Sequence, residues 1–215
     1  MTLGLELQKF SCRAVQDLDL SLAPGQCMGL TGPSGAGKTL FLRALADLDP
    51  HEGQIRLDGT AWDQMPAHQW RSKVGFLPAE SAWWFDSVGE HFSDISAELL
   101  EMLAFDQRTL QWPIRHLSSG ERQRLALLRL IANKPRVLLL DEPTANLDQA
   151  NMARVEDLLN QWRITHNPVM IWVGHDPAQL ARCCDSIVRL ENGRIGPLPA
   201  EGRPGGPAAE MGATV

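Results

Sequence analysis

The stretch Gly32-Pro33-Ser34-Gly35-Ala36-Gly37-Lys38-Thr39 decides how the rest of this sequence is read. It has the spacing G-x-x-x-x-G-K-[ST]. An apolar run, Cys27–Thr31, precedes it. A helical pattern follows from Lys38, with Leu40, Phe41, Ala44, Leu45 and Leu48 on one stripe. Glycines let the backbone curl until successive N–H groups point at one anion. The helix behind them adds its positive N-terminal end. Lys38 can reach the outer phosphates of a nucleotide, and Thr39 offers a hydroxyl to Mg²⁺, which prefers hard oxygen ligands. A glycine-rich turn with an incidental lysine is the plain alternative. The specified positions coincide by chance in about one chain in a hundred of this length, and the flanks make it rarer still. The reading assigns Gly32, Pro33, Ser34, Gly35, Ala36, Gly37, Lys38 and Thr39 to nucleotide phosphates.

Working outward, Val137–Leu140 is a continuous apolar run that ends in Asp141-Glu142. Such a run suits a parallel strand buried on both faces. Asp141 would then emerge at the strand's C-terminal edge, where ligands bind in parallel α/β sheets, and could help hold Mg²⁺. Glu142 beside it could polarise an attacking water. Val169–Val173 is a similar run, ending near Gly174-His175. Leu3–Phe10 and Leu18–Leu22 alternate as strands, and Gln54–Leu57 and Val74–Leu77 are shorter ones. His51-Glu52-Gly53 and Asp58-Gly59 read as turns, and Ile187–Leu190 with Glu191-Asn192-Gly193 as a late hairpin. Strands alternating with helices predict a layered α/β domain. Ser81 to Pro135 holds helical patterns and no convincing core strand, so it reads as an inserted helical lobe. Residues 196–215, rich in Gly and Pro, read as a disordered tail.

Composition narrows the function. The 215 residues are 44% hydrophobic and 21% charged, which excludes wholesale disorder. With 20 Lys+Arg against 26 Asp+Glu the net charge is −6, so the basic footprint of a general nucleic-acid binder is missing. Cys12, Cys27, Cys183 and Cys184 are too scattered for a disulfide scaffold or zinc cluster. Cys183-Cys184 reads as helix packing, and a reduced setting follows. No run approaches the roughly 18 apolar residues of a membrane span. Met1 to Phe10 lacks the form of a signal peptide. The expectation is a cytoplasmic chain, held at any membrane by something else.

Leu117-Ser118-Ser119-Gly120-Glu121-Arg122-Gln123-Arg124 then resembles the signature sequence of ATP-binding cassette (ABC) proteins. Ala145-Asn146-Leu147-Asp148 resembles that family's D-loop, and His175 its switch histidine. The resemblance runs from about Leu3 to Ile195. It implies a P-loop NTPase of ABC type over residues 1–195: a mostly parallel core sheet, an N-terminal antiparallel β subdomain and the inserted helical subdomain, about 81–135. It also implies an ATPase that takes ATP and Mg²⁺, with Thr39 and Asp141 on the metal, and Glu142, His175 and Lys38 as catalytic residues. Ser118 and Gly120 would complete the ATP site of a second copy, with Asp148 linking the two sites. The partners implied are that second subunit and an integral membrane permease, and the place is the cytoplasmic face of the cell membrane. Transport direction stays open, leaning towards export.

The sequence also departs from the family. Ala79 stands after Leu77-Pro78, where a glutamine is usual, and Glu80 is a candidate substitute. Phe10 is either an adenine platform or core, and Cys12 can align at the platform position instead. Trp83-Trp84-Phe85 reads as lining the groove for the membrane subunit, with packing inside the lobe as the alternative. The rival functions are a soluble ABC ATPase acting on a cytosolic assembly and a P-loop kinase of small metabolites.

Overall fold

The computed structural model describes residues 4–198. Its strands are β1 (Leu5–Cys12), β2 (Val15–Leu22), β3 (Cys27–Thr31), β4 (His51–Leu57), β5 (Thr60–Ala61), β6 (Val74–Leu77), β7 (Val137–Asp141), β8 (Val169–Val173), β9 (Ser186–Glu191) and β10 (Arg194–Pro197). Its α-helices are α1 (Lys38–Leu45), α2 (Ala67–Lys73), α3 (Ala97–Met102), α4 (Ser119–Ala132), α5 (Gln149–His166) and α6 (Pro177–Cys183).

Two sheets form. The first is antiparallel, in the order β2-β1-β4-β5. β2 and β4 run longer than their alternation predicts, and β1 lies two residues further along the chain than Leu3–Phe10. Lys9 and Asp17 take left-handed φ of 47° and 49°, and the β1–β2 register shifts between Leu7 and Phe10. These bulges break the period of two and hide the strand ends. His51-Glu52-Gly53, expected as a turn, is instead the start of β4. Gly53 has φ 83°, and a Cβ there would stand 2.2 Å from the Lys9 carbonyl oxygen. The glycine answers the bulge across the ladder.

The second sheet has the order β10-β9-β3-β8-β7-β6. β9, β3, β8, β7 and β6 are mutually parallel, and β10 closes the edge antiparallel to β9. Every residue of β7 and β8 is buried. Val137 and Leu139 pack with Phe41, Leu42 and Leu45 of α1. Leu138 and Leu140 pack with Leu125 and Leu128 of α4 and Leu158 and Leu159 of α5. Covering both faces explains why β7 reads as an unbroken apolar run. Each such side chain contributes about 1.5–3 kcal/mol when fully buried.

Between β6 and β7 the described chain holds α3, α4 and short 3₁₀ turns, and no strand of either sheet. α4 shares one apolar cluster with β7 and β8. The expected tail boundary needs correction: Gly196 and Pro197 belong to β10, opposite Arg189 and Val188. Proline is tolerated there because β10 is an edge strand. Residues 199–215, the rest of that expected tail, lie outside the described residues.

Candidate functional site

Three neighbouring parallel strands deliver their C-terminal ends to one place. β3 leads into the glycine-rich loop, β7 ends at Asp141, and β8 leads to His175. Gly37 is the N-cap of α1, with φ 98° and no side-chain cap. A Cβ at Gly37 would stand 2.5 Å from that of Ala14, so the β1–β2 turn rests on the loop. The first N–H groups of α1 therefore stay available for an anion. Lys38 is buried, and its Nζ donates to the carbonyls of Gly32 at 2.9 Å and Pro33 at 3.1 Å.

Thr39 Oγ1 donates to Asp141 Oδ2 at 2.7 Å, joining residues 102 positions apart. Asp141 is 3% exposed. Burial pushes its carboxyl above the ordinary range; the Thr39 hydrogen bond opposes this, and the charge of Glu142 adds to it. Glu142 has a left-handed φ of 51°, and its N–H donates to the Val173 carbonyl at 3.1 Å. His175 Nε2 lies 2.7 Å from Glu142 Oε1. Lys38, Thr39, Asp141, Glu142 and His175 thus form one cluster at the sheet edge.

Ser118, Gly120 and Asp148 form a second group. Ser118 caps α4: its Oγ accepts from the Glu121 N–H at 3.2 Å, while Glu121 Oε2 accepts from the Ser118 N–H at 2.8 Å. A Cβ on Gly120 would stand 3.1 Å from Leu147 Cδ2, so the start of α4 touches the loop before α5. Asp148 caps α5 by accepting from the Asn151 N–H at 2.8 Å, and that bond leads in lowering its pKa. Among the described residues, neither Ser118 nor Gly120 hydrogen-bonds the glycine-rich loop.

The remaining candidates take definite places in the fold. Phe10 is fully buried, with Phe41 edge-on at 5.9 Å and His51 at 5.6 Å. It is core and cannot stack on a base. Cys12 is half-buried beside the β1–β2 turn. Ala79 and Glu80 are both exposed beyond β6. Trp84 is 64% exposed and Phe85 48%, while Trp83 is half-buried. Cys183 is half-buried, and burial pushes its thiol up to about 12; Cys184 is raised chiefly by a hydrogen bond with Cys27. Both are packing thiols at neutral pH. Sequence reasoning passed over Thr144 and Gln179, a buried polar pair that no periodicity marks.

Residues 15–145 match the sequence model of the family described as ABC transporter. An Fe(3+) ions import ATP-binding protein, FbpC, of Pseudomonas fluorescens is 34% identical over 200 residues, covering 85% of this chain and 56% of that protein. An aliphatic sulfonates import ATP-binding protein, SsuB 1, of the same species is 35% identical over 196 residues, covering 87% and 72%. The solved structure of a bacterial Atm1-family ABC exporter with ATP bound superposes with a TM-score of 0.77 at 22% identity. It covers 89% of this chain and 38% of that one, and shares the fold. The glycine-rich loop joined to Asp141, the paired Glu142 and His175, and the similarity across most of the chain agree, and the chain belongs to the family of ABC transporter ATP-binding proteins.

Proposed function

We propose that this chain is the ATP-hydrolysing subunit of an ABC import transporter, driving a separate membrane subunit. The observation that carries the reading is the Thr39–Asp141 hydrogen bond, which sets a metal-type oxygen pair against the phosphate loop. The donor set suits Mg²⁺: one hydroxyl and one carboxylate, both hard oxygens, with substrate phosphates and water completing the shell. Among the described residues, no group of three or more His, Cys, Asp or Glu could hold a metal alone. When bound, Mg²⁺ supplies positive charge to the outer phosphate oxygens.

The chain's own residues do the rest. The loop from Gly32 to Gly37, Pro33, Ser34, Gly35 and Ala36 included, turns backbone N–H groups toward the phosphates. Lys38 exchanges the Gly32 and Pro33 carbonyls for phosphate oxygens. Glu142 holds a water and takes its proton as the water oxygen bonds the γ-phosphorus and the bond to the bridging oxygen breaks. His175 fixes the Glu142 carboxylate and lies beside the γ-phosphate. Catalysis is positioning and charge stabilisation.

The second group acts across a dimer. Ser118 and Gly120, at the uncovered start of α4, serve the nucleotide of a second copy, and Asp148 links the two sites. The membrane subunit meets the segment between β6 and β7, where Trp84 and Phe85 are exposed. Among the described residues, no helix is long and apolar enough to cross a membrane. The chain works at the cytoplasmic face, as a peripheral subunit. The relatives' names favour import over the export lean of the sequence reading. Iron(III) and sulfonates belong to those relatives, and the cargo here is chosen by other chains.

Glu142→Gln is the test. The variant is expected to bind Mg²⁺-ATP, lose turnover by at least about a hundredfold, and dimerise with ATP in analytical ultracentrifugation. Wild-type turnover, or a monomer at every ATP concentration, would defeat the reading.

A further inference from the structure

Thr144 lies two residues beyond Glu142, and Gln179 four residues beyond His175. They meet in the interior, Thr144 7% exposed and Gln179 5%. The Thr144 hydroxyl donates to Gln179 Oε1 at 3.2 Å and accepts from Gln179 Nε2 at 3.0 Å. The same Nε2 donates to Glu156 Oε1 of α5 at 2.8 Å. Arg182 grips Glu156 with two further bonds, Nε to Oε2 at 2.8 Å and Nη2 to Oε1 at 2.7 Å. Burial works against the Glu156 charge, but Arg182 and Gln179 outweigh it and hold the carboxyl below its usual range. The carboxamide is the right group at 179. It gives one hydrogen to Thr144 and one to Glu156, and accepts with its oxygen. A carboxylate there would face the Glu156 carboxylate.

We propose that Gln179 is a positioning residue for hydrolysis, tying the Glu142 loop to the helix that follows His175 and so fixing the distance between those two side chains. The inference rests on the catalytic reading of Glu142 and His175 above. Glu142 needs such a tie because its left-handed φ of 51° is a conformation that persists only where surroundings over-determine it. The turn that carries it closes with the Ala145 N–H donating to the Glu142 carbonyl at 3.0 Å, and the Leu147 N–H to that of Thr144 at 3.3 Å. Thr144 is the anchored residue inside this turn. On the other side, Asp176 caps α6 through the Ala178 N–H at 2.9 Å, and Leu180 is buried, so Gln179 projects from a seated helix. The phosphate loop makes no hydrogen bond with Thr144, Gln179 or Glu156 among the described residues. Loss of the link should therefore touch turnover and spare nucleotide binding.

Gln179→Leu keeps the size and removes the bonds. In the full chain it is expected to lower kcat about tenfold with KM for ATP within about twofold, the scale seen when groups that orient a catalytic side chain are lost. In the nucleotide-free protein, amide hydrogen exchange at Ala145 and Leu147 should quicken. Thr144→Val, which cuts the same link from the other side, should reproduce both effects. The double variant should be no worse than either single one, and Thr144→Ser should restore wild-type kcat. If Gln179→Leu fails to fold, Thr144→Val with Thr144→Ser decides. A lower Tm with unchanged kcat and exchange would make the link purely structural and overturn the inference. If Glu142→Gln keeps wild-type turnover, the catalytic reading fails first. If Glu142→Gln is inactive while Gln179→Leu and Thr144→Val match wild type, only the positioning role fails.

Discussion

Asp141 shows how a single residue is set against itself. It is buried with one hydrogen bond, from Thr39, beside another carboxylate. Its raised pKa means that the folded state holds the proton more tightly than the unfolded chain does. Above the ordinary carboxylate range its ionisation therefore lowers stability, and on acidification that loss fades. Asp141→Asn is expected to raise the Tm of the nucleotide-free protein near neutral pH, with the gain shrinking as pH falls. On the proposed metal role of Asp141, the same variant should lose the extra stabilisation that Mg²⁺-ATP confers. Differential scanning fluorimetry with and without Mg²⁺-ATP checks both halves. Asp141 itself was legible as the acid that ends an apolar strand. That Thr39 stands beside it came from the family resemblance and not from spacing, because nothing in the spacing of Thr39 and Asp141 says which strands are neighbours.

Among the elements, α1 and α4 were readable because their apolar stripes follow the helical period and their N-termini carry recognisable chemistry. At α4 that chemistry is a reciprocal box between Ser118 and Glu121. Ser118→Ala is expected to cost about 1 kcal/mol through loss of the cap. Urea denaturation measures it, and Ser118→Thr should recover most of it. On the proposed role of the hydroxyl toward a second copy, the same change should weaken ATP-dependent dimerisation more than ATP binding. The β1–β4 ladder was the least readable element. The left-handed Lys9 and Asp17 shift its faces, and Gly53 looks like a turn residue while acting as the partner of a bulge. Local alternation cannot reveal a bulge, because the bulge is defined by the strand opposite.

At the scale of the whole molecule, the aromatic run Trp83-Trp84-Phe85 is a built surface. His91, buried, accepts the Trp84 and Phe85 N–H groups on Nε2 at 3.0 and 3.1 Å. All three rings stand around it, with centroids 4.8, 4.9 and 5.1 Å away. The Arg129 guanidinium lies over Trp83 at 4.5 Å and Trp84 at 4.7 Å, half-desolvated, and burial lowers its pKa. Packing inside the lobe accounts for the half-buried Trp83 and not for Trp84 and Phe85, which face out. Trp83→Ala with Trp84→Ala is expected to release the chain from membranes that carry its partner and to leave ATP affinity within about twofold. Co-sedimentation and a nucleotide titration check this; lost ATP affinity with recruitment intact would contradict it.

Residue order was enough for the phosphate loop, the helix behind it, the acid-ended strand and the layered α/β class. Each depends on backbone geometry over a few consecutive positions, and local spacing encodes that geometry. Folding in three dimensions decided that Phe10 is core, that Gly53 answers a bulge and that Gln179 meets Thr144. Those pairings depend on which strands lie side by side and in what register. That is settled by how whole faces bury together, and no short stretch of chain carries it.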